Sequence, residues 1–83
     1  MDEQTVREKL RAFIVTELIR DSGYTLTDDE GIISNGLMDS FSLAELGVYV
    51  EEEFDVYIPD SDLTVAKMDT LNQMTARVMR GLG

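Results

Sequence analysis

The apolar positions of the chain fall into three stripes of helical period. Val6, Leu10, Phe13, Ile14 and Leu18 recur at i, i+4, i+7, i+8 and i+12, which puts them on one face of a helix over residues 3–20. Thr5 followed three residues later by Glu8 has the form of a capping box, and Asp21-Ser22-Gly23 supplies the stop. Leu43, Leu46, Val50 and Phe54 predict a second helix over 40–54, opened by Asp39 and Ser40. Its outer face carries Glu45, Glu51, Glu52 and Glu53, and Gly47 inside it costs about 1 kcal/mol relative to Ala. Leu71, Met74, Val78 and Leu82 predict a last helix over 70–81, with Gly81 as its end. Arg77 and Arg80 sit in its final turns, where the helix dipole favours cations.

The connections are unequal. Residues 21–39 are rich in Asp, Ser, Gly and Asn and read as one long loop. A loop of that length is uncommon in a compact domain and points to function. Leu26, Ile32, Ile33, Leu37 and Met38 predict that it is pinned onto the core. After residue 54, Val56-Tyr57-Ile58-Pro59 is expected to be extended, because a residue before proline avoids the helical region. Thr64 is placed to cap a short helical turn over Val65 to Met68. The fold class is therefore all-α: a small four-helix bundle of three longer helices and one short one, with the long loop between helices one and two. Residues 1–83 are expected to form one domain.

Composition changes this picture mainly by what it excludes. There is no Cys, so no disulfide, thiolate nucleophile or ordinary zinc site, and no His, the commonest general base. A serine triad cannot be assembled, because a serine nucleophile needs a base and a group to orient it. Asp28, Asp29 and Glu30 cluster, but their spacing fits no calcium loop, and a bundle of 83 residues has little room for a substrate cleft. The chain is expected not to be an enzyme. Its net charge of −10 argues against nucleic acid and against anionic membranes. The excess is local: residues 1–20 are neutral, residues 21–62 carry twelve acids and no base, and residues 63–83 are net +2. Basic patches on other proteins are the expected partners. No basic start followed by an apolar run opens the chain, so the expectation is a cytoplasmic monomer without membrane insertion.

The end of the long loop reads Asn35-Gly36-Leu37-Met38-Asp39-Ser40-Phe41-Ser42-Leu43. Taken alone, Asp39 or Ser40 is a helix cap, worth about 1 kcal/mol. In its setting, Gly36-Leu37-Met38-Asp39-Ser40-Phe41 resembles the motif of the acyl carrier protein family, in which such a run opens an acidic second helix. Leu43-Ala44-Glu45-Leu46, Glu51-Glu52-Glu53-Phe54-Asp55, Ile58-Pro59, Asp62-Leu63-Thr64 and Asp69-Thr70-Leu71 extend the resemblance to about residues 5–80.

The resemblance implies a carrier that performs no chemistry of its own. Ser40, flanked by Asp39 and Phe41, would take a covalent 4′-phosphopantetheine arm from coenzyme A through a phosphopantetheinyl transferase. The arm would hold acyl groups as thioesters for fatty-acid, polyketide or related biosynthesis. Glu45, Glu51 and Glu52, with Asp39, would meet basic docking patches on loading enzymes, synthases and transferases, and Ala44 and Val48 would form the apolar centre of that contact. Phe41 and Ser42 depart from the commoner family pattern, and speak for the alternative of a D-alanyl or peptidyl, that is aminoacyl, carrier. Gly47 stands where the family has an aliphatic residue, and would either open an acyl cavity between helices or let a neighbouring helix pack closer. An alternative of another class is an acidic helical adaptor in which Ser40 is only a cap.

Overall fold

The computed structural model describes every residue from Met1 to Gly83. It is all-helical, without strands: α1 (Glu3–Phe13) runs directly into a π-helical segment (Ile14–Ile19), and α2 (Ser42–Phe54) and α3 (Leu71–Leu82) follow. α1 lies mainly against α3, and α2 also reaches α3. The seam between α1 and α2 is aromatic. Phe13 and Tyr49 stack at 4.1 Å with an interplanar angle of 9°, Phe54 meets Tyr49 edge-on at 5.9 Å, and the Tyr49 hydroxyl donates to the Lys9 carbonyl at 3.3 Å.

Three expectations are corrected. The Thr5–Glu8 box does not form. Asp2 caps α1 by accepting from the Thr5 N–H at 2.8 Å, and its charge suits the helix amino end. Glu8 turns instead to Gln4 and Arg11. The fourth, short helix is a single turn: the Thr64 carbonyl accepts from Lys67 N–H at 3.1 Å and Met68 N–H at 2.8 Å, and no helix propagates from it. Finally, Gly81 does not end α3, which continues through Leu82, and Leu82 is exposed rather than core. Gly81 is instead a point of close approach, because a side chain there would run into Val56.

The single helix expected over 3–20 changes character at Ile14. Ile14, Val15, Thr16 and Ile19 are β-branched and crowd a regular α-turn. The wider π-turn shifts the face that follows, so that adjacent Ile14 and Val15 are both buried while Leu18 is only half-buried. α3 opens on a capping box in which Thr70 accepts from Gln73 N–H and the Gln73 side chain accepts from Thr70 N–H.

The core is apolar and draws on the connections as well as the helices: Leu26, Ile32, Met38, Val56, Ile58 and Met68 are all buried. The long loop is thus pinned, as its apolar residues predict. Two polar clamps hold it. Near its start, the Arg11 guanidinium donates to the Leu26 carbonyl and pairs with Asp28 at 2.7 Å, and Asn72 N–H donates to the Asp28 carbonyl at 2.9 Å. Further on, the Asp69 carboxylate accepts from Ile33 N–H (2.7 Å), Ser34 N–H (3.0 Å) and the Ser34 hydroxyl (2.6 Å), while its carbonyl accepts from Ile32 N–H (2.8 Å).

Burial pushes the Asp69 carboxyl up, but the bonds from Ser34 and Ile33 outweigh it and hold the group below its usual value. A carboxyl lowered in the folded state contributes stability that is complete above its unfolded pKa, near 4, and is lost as pH falls through the lower folded value. Asp69→Ala is therefore expected to destabilise the chain by about 2 kcal/mol at pH 7, through lost charge-assisted hydrogen bonds, measured by urea unfolding. The gap between wild type and variant should narrow as pH falls below 4. A gap independent of pH would contradict this account.

Candidate functional site

The approach to α2 is built by one side chain. Asp39 Oδ1 accepts from Ser42 N–H at 3.1 Å and lies 3.4 Å from the Ser42 hydroxyl. Successive i→i+3 bonds tighten the turn: Ser42 N–H to the Asp39 carbonyl, Leu43 N–H to that of Ser40 and Ala44 N–H to that of Phe41, at 3.1–3.2 Å. Regular α2 consequently begins at Ser42, two residues later than the pattern predicts. The cap belongs to Asp39. Ser40, which the adaptor alternative treats as a cap, keeps its hydroxyl out of the network and is exposed. The N–H groups of Ser40 and Phe41 donate to nothing in the chain.

These features fit a phosphate ester at Ser40. Its hydroxyl is open to an incoming enzyme, and two unpaired N–H groups stand at the positive end of α2, where an anion is favoured.

The docking candidates all lie on the outside of α2. Ala44, Glu45, Val48, Glu51 and Glu52 are exposed, and Phe41 precedes them with 84% of its surface open. Phe41, Ala44, Val48 and Glu51 or Glu52 follow helical spacing, so an apolar ridge with acidic flanks runs down the helix from the residue next to Ser40. Glu53 stands apart from that ridge and pairs with Lys9 at 3.8 Å. Tyr57, 67% exposed, is an apolar surface residue that the helical pattern did not single out. The signal for it was the alternation Val56 in, Tyr57 out, Ile58 in, which is the period of an extended segment.

Gly47 resolves in favour of close approach. A Cβ at this position would lie 3.0 Å from Leu63 Cδ1, so the missing side chain lets the segment after α2 pack against the helix. The neighbour is the connection through residue 63 rather than another helix. Ala44, Gly47, Val48 and Glu51 face Tyr57, Ile58, Asp60 and Leu63 across a shallow groove of about 240 Å³.

A second shallow cavity, of about 330 Å³, lies beside Ser40 and is lined by Glu17, Leu18, Arg20, Asp39, Phe41, Ser42 and Glu45. Sequence reasoning did not single out Glu17, Leu18 or Arg20 for this place, because no local pattern shows that the end of the π-helical segment lies at the mouth of α2. The clustered acids elsewhere have structural work. Asp28 pairs with Arg7 and Arg11, and Glu30 accepts from Thr27 N–H and the Tyr24 hydroxyl, both at 2.7 Å. No group of three acidic side chains is placed to hold a metal ion. No helix is long and apolar enough to cross a membrane.

No protein-family model matches the chain. It is, however, 37% identical over 67 residues to a D-alanyl carrier protein of Lactobacillus helveticus, covering 77% of this chain and 85% of that protein. It is 36% identical over 67 residues to a D-alanyl carrier protein of Lactobacillus acidophilus, with the same coverage. The chain belongs to the acyl carrier protein family, the phosphopantetheine-bearing carrier proteins that its loop motif resembles.

If the ridge on α2 is a surface and the inner stripe a core, substitutions on the two faces must separate. Phe41→Ala and Val48→Ala are expected to change stability by no more than about 0.5 kcal/mol. Leu46→Ala, at a fully buried position, is expected to cost about 2–5 kcal/mol. Urea midpoints measured on the three variants check this.

Proposed function

We propose that this protein is an aminoacyl carrier of the D-alanyl type, which holds its cargo on a 4′-phosphopantetheine arm esterified to Ser40. The observation that carries the reading is the likeness to two D-alanyl carrier proteins over most of both chains. It favours the aminoacyl alternative over the fatty-acid or polyketide pathway expected first. Phe41 and Ser42 speak for the same alternative, but the rest of the motif, Gly36 to Ser40, does not select a cargo, so whole-chain likeness is the better guide.

The chain's own part is presentation. In the transfer from coenzyme A, Ser40 Oγ bonds to the phosphorus that carries pantetheine, and the adenosine bisphosphate leaves. The proton passes to a base of the transferase, since Asp39 is committed to the cap and the chain has no His. The arm supplies a terminal thiol that carries the cargo as a thioester. Phe41, Ala44 and Val48 form the apolar centre of the docking face, and Asp39, Glu45, Glu51 and Glu52 meet Lys and Arg on each partner. Such complementarity raises the association rate more than the affinity, which suits a carrier that must be released. The chain acts as a single-domain monomer with no catalysis of its own, in the cytoplasm, where coenzyme A is available.

The cargo is tested by charging. Holo protein is offered D-alanine with an ATP-dependent D-alanine ligase, and a fatty acid with an acyl-loading enzyme, and followed by intact mass. Uptake of one D-alanyl group, released by hydroxylamine, is expected. Uptake of the fatty acyl group alone would contradict the reading. The docking face makes a separate prediction: the double variant Glu45→Lys, Glu52→Lys should lower the transferase's kcat/KM by about tenfold at low salt. The wild-type rate should also fall as salt rises, and an unchanged rate under both conditions would remove electrostatic docking from the account.

A further inference from the structure

The cavity beside Ser40 contains one base and three acids. Arg20 shares its walls with Asp39, Phe41 and Ser42, the residues that bracket Ser40, and with Glu17 and Glu45. Despite those carboxylates, the Arg20 guanidinium forms no ion pair. Its side chain makes one long hydrogen bond, from Nε to the Glu17 carbonyl at 3.4 Å. Arg7, Lys9, Arg11, Lys67 and Arg77 are each paired with an acid, which leaves Arg20 and Arg80 as the unpaired side-chain cations. Arg80 lies on α3 in a different cavity, with Asp62, Lys67 and Arg77.

Arg20 is also held in place by unusual backbone. It closes the π-helical segment in the left-handed conformation, φ 63° and ψ 40°, with its N–H donating to the Val15 carbonyl. Non-glycine residues seldom adopt that region, and π-turns in helices gather at functional sites. The sequence makes the placement matter. No base occurs between Arg20 and Lys67, so this is the one cation lining the cavity next to a position where a phosphodiester would add negative charge beside Asp39 and Glu45.

We infer that Arg20 binds the phosphodiester that joins the arm to Ser40, so that its guanidinium offsets the charge which modification brings to the acidic mouth of α2. This rests on the carrier reading above. Arg20 takes a positioning role: it fixes the direction in which the arm leaves Ser40, and the unpaired Ser40 and Phe41 N–H groups complete the phosphate's contacts. The planar fork of an arginine suits two phosphate oxygens at once.

The test compares apo and holo forms of the wild type, Arg20→Gln, Arg20→Gly and the control Arg80→Gln. Arg20→Gly removes the guanidinium while relieving the left-handed backbone, so it folds even if Arg20→Gln is strained. Conversion to holo protein is first verified by intact mass. The Arg20 Nε–H resonance is expected to shift between apo and holo wild type. The phosphorus-31 resonance of the holo protein is expected to move in both Arg20 variants and to stay in place in Arg80→Gln. Raising the salt concentration should move the wild-type phosphorus resonance toward that of the variants. If holo protein forms but neither resonance responds to Arg20, the inference is overturned and the carrier reading stands. If no holo protein forms from any folded variant, both fall together.

Discussion

The structure depends most on the carboxylate of Asp69. A loop of some twenty residues separates the first helix from α2, and without restraint it would let the entrance to α2 wander. Asp69 prevents this by accepting three hydrogen bonds from Ile33 and Ser34, while its own carbonyl takes the Ile32 N–H. One residue at the threshold of α3 thereby fixes the far half of the loop. Ile32 and Met38 are driven into the core on either side of that turn. The chain that leaves Met38 has only one short step to Asp39, whose side chain closes the turn into α2. Restraint at Asp69 and exposure at Ser40 are two ends of one device.

The acidic excess also sorts into kinds once the contacts are known. Asp28 and Glu30 are spent on holding the first half of the loop, and Asp62 takes Lys67 at 2.9 Å and Arg77 at 3.2 Å. The bonds from Lys67 and Arg77 hold the Asp62 carboxyl below its usual value, and the bonds from Thr27 and Tyr24 do the same for Glu30. Glu45, Glu51 and Glu52 have no internal partner and stand along the ridge that begins at Phe41. Self-repulsion along α2 is a cost to the isolated chain, and a basic partner surface would relieve it. The uncharged part of the ridge, Phe41, Ala44 and Val48, supplies area that only a partner could bury.

Much of this was legible in the sequence because it follows from periodicity. The stripes through Val6 and Leu10, through Leu43, Leu46 and Val50, and through Leu71, Met74 and Val78 all face inward, as spacing alone requires. The apolar residues of the long loop likewise announced that it would be pinned. The motif from Gly36 to Phe41 led to the family. What stayed hidden was set by contacts distant in sequence. Nothing local marks Asp69 as the partner of Ser34, thirty-five residues away. The β-branched residues between Ile14 and Ile19 mark a crowded stretch, but they do not say that it will widen into a π-turn with Val15 buried and Arg20 beside the mouth of α2. The fourth helix was overread because a capping threonine and four following residues suffice for one turn, but not for the cooperative run that a helix needs. The choice between an acyl cavity and close approach at Gly47 turned on where Leu63 lies, which no pattern in α2 encodes.

The central claim is that Ser40, alone among the hydroxyls of this chain, is the point of attachment. The most direct measurement is intact mass before and after incubation with a broad-specificity phosphopantetheinyl transferase, magnesium and coenzyme A, on wild type and Ser40→Ala, with fragmentation to locate the added mass. The account predicts a gain of one phosphopantetheine in the wild type, placed on Ser40, and no gain in the variant. A gain that survives in Ser40→Ala, or no gain in a folded and previously unmodified wild type, would contradict it.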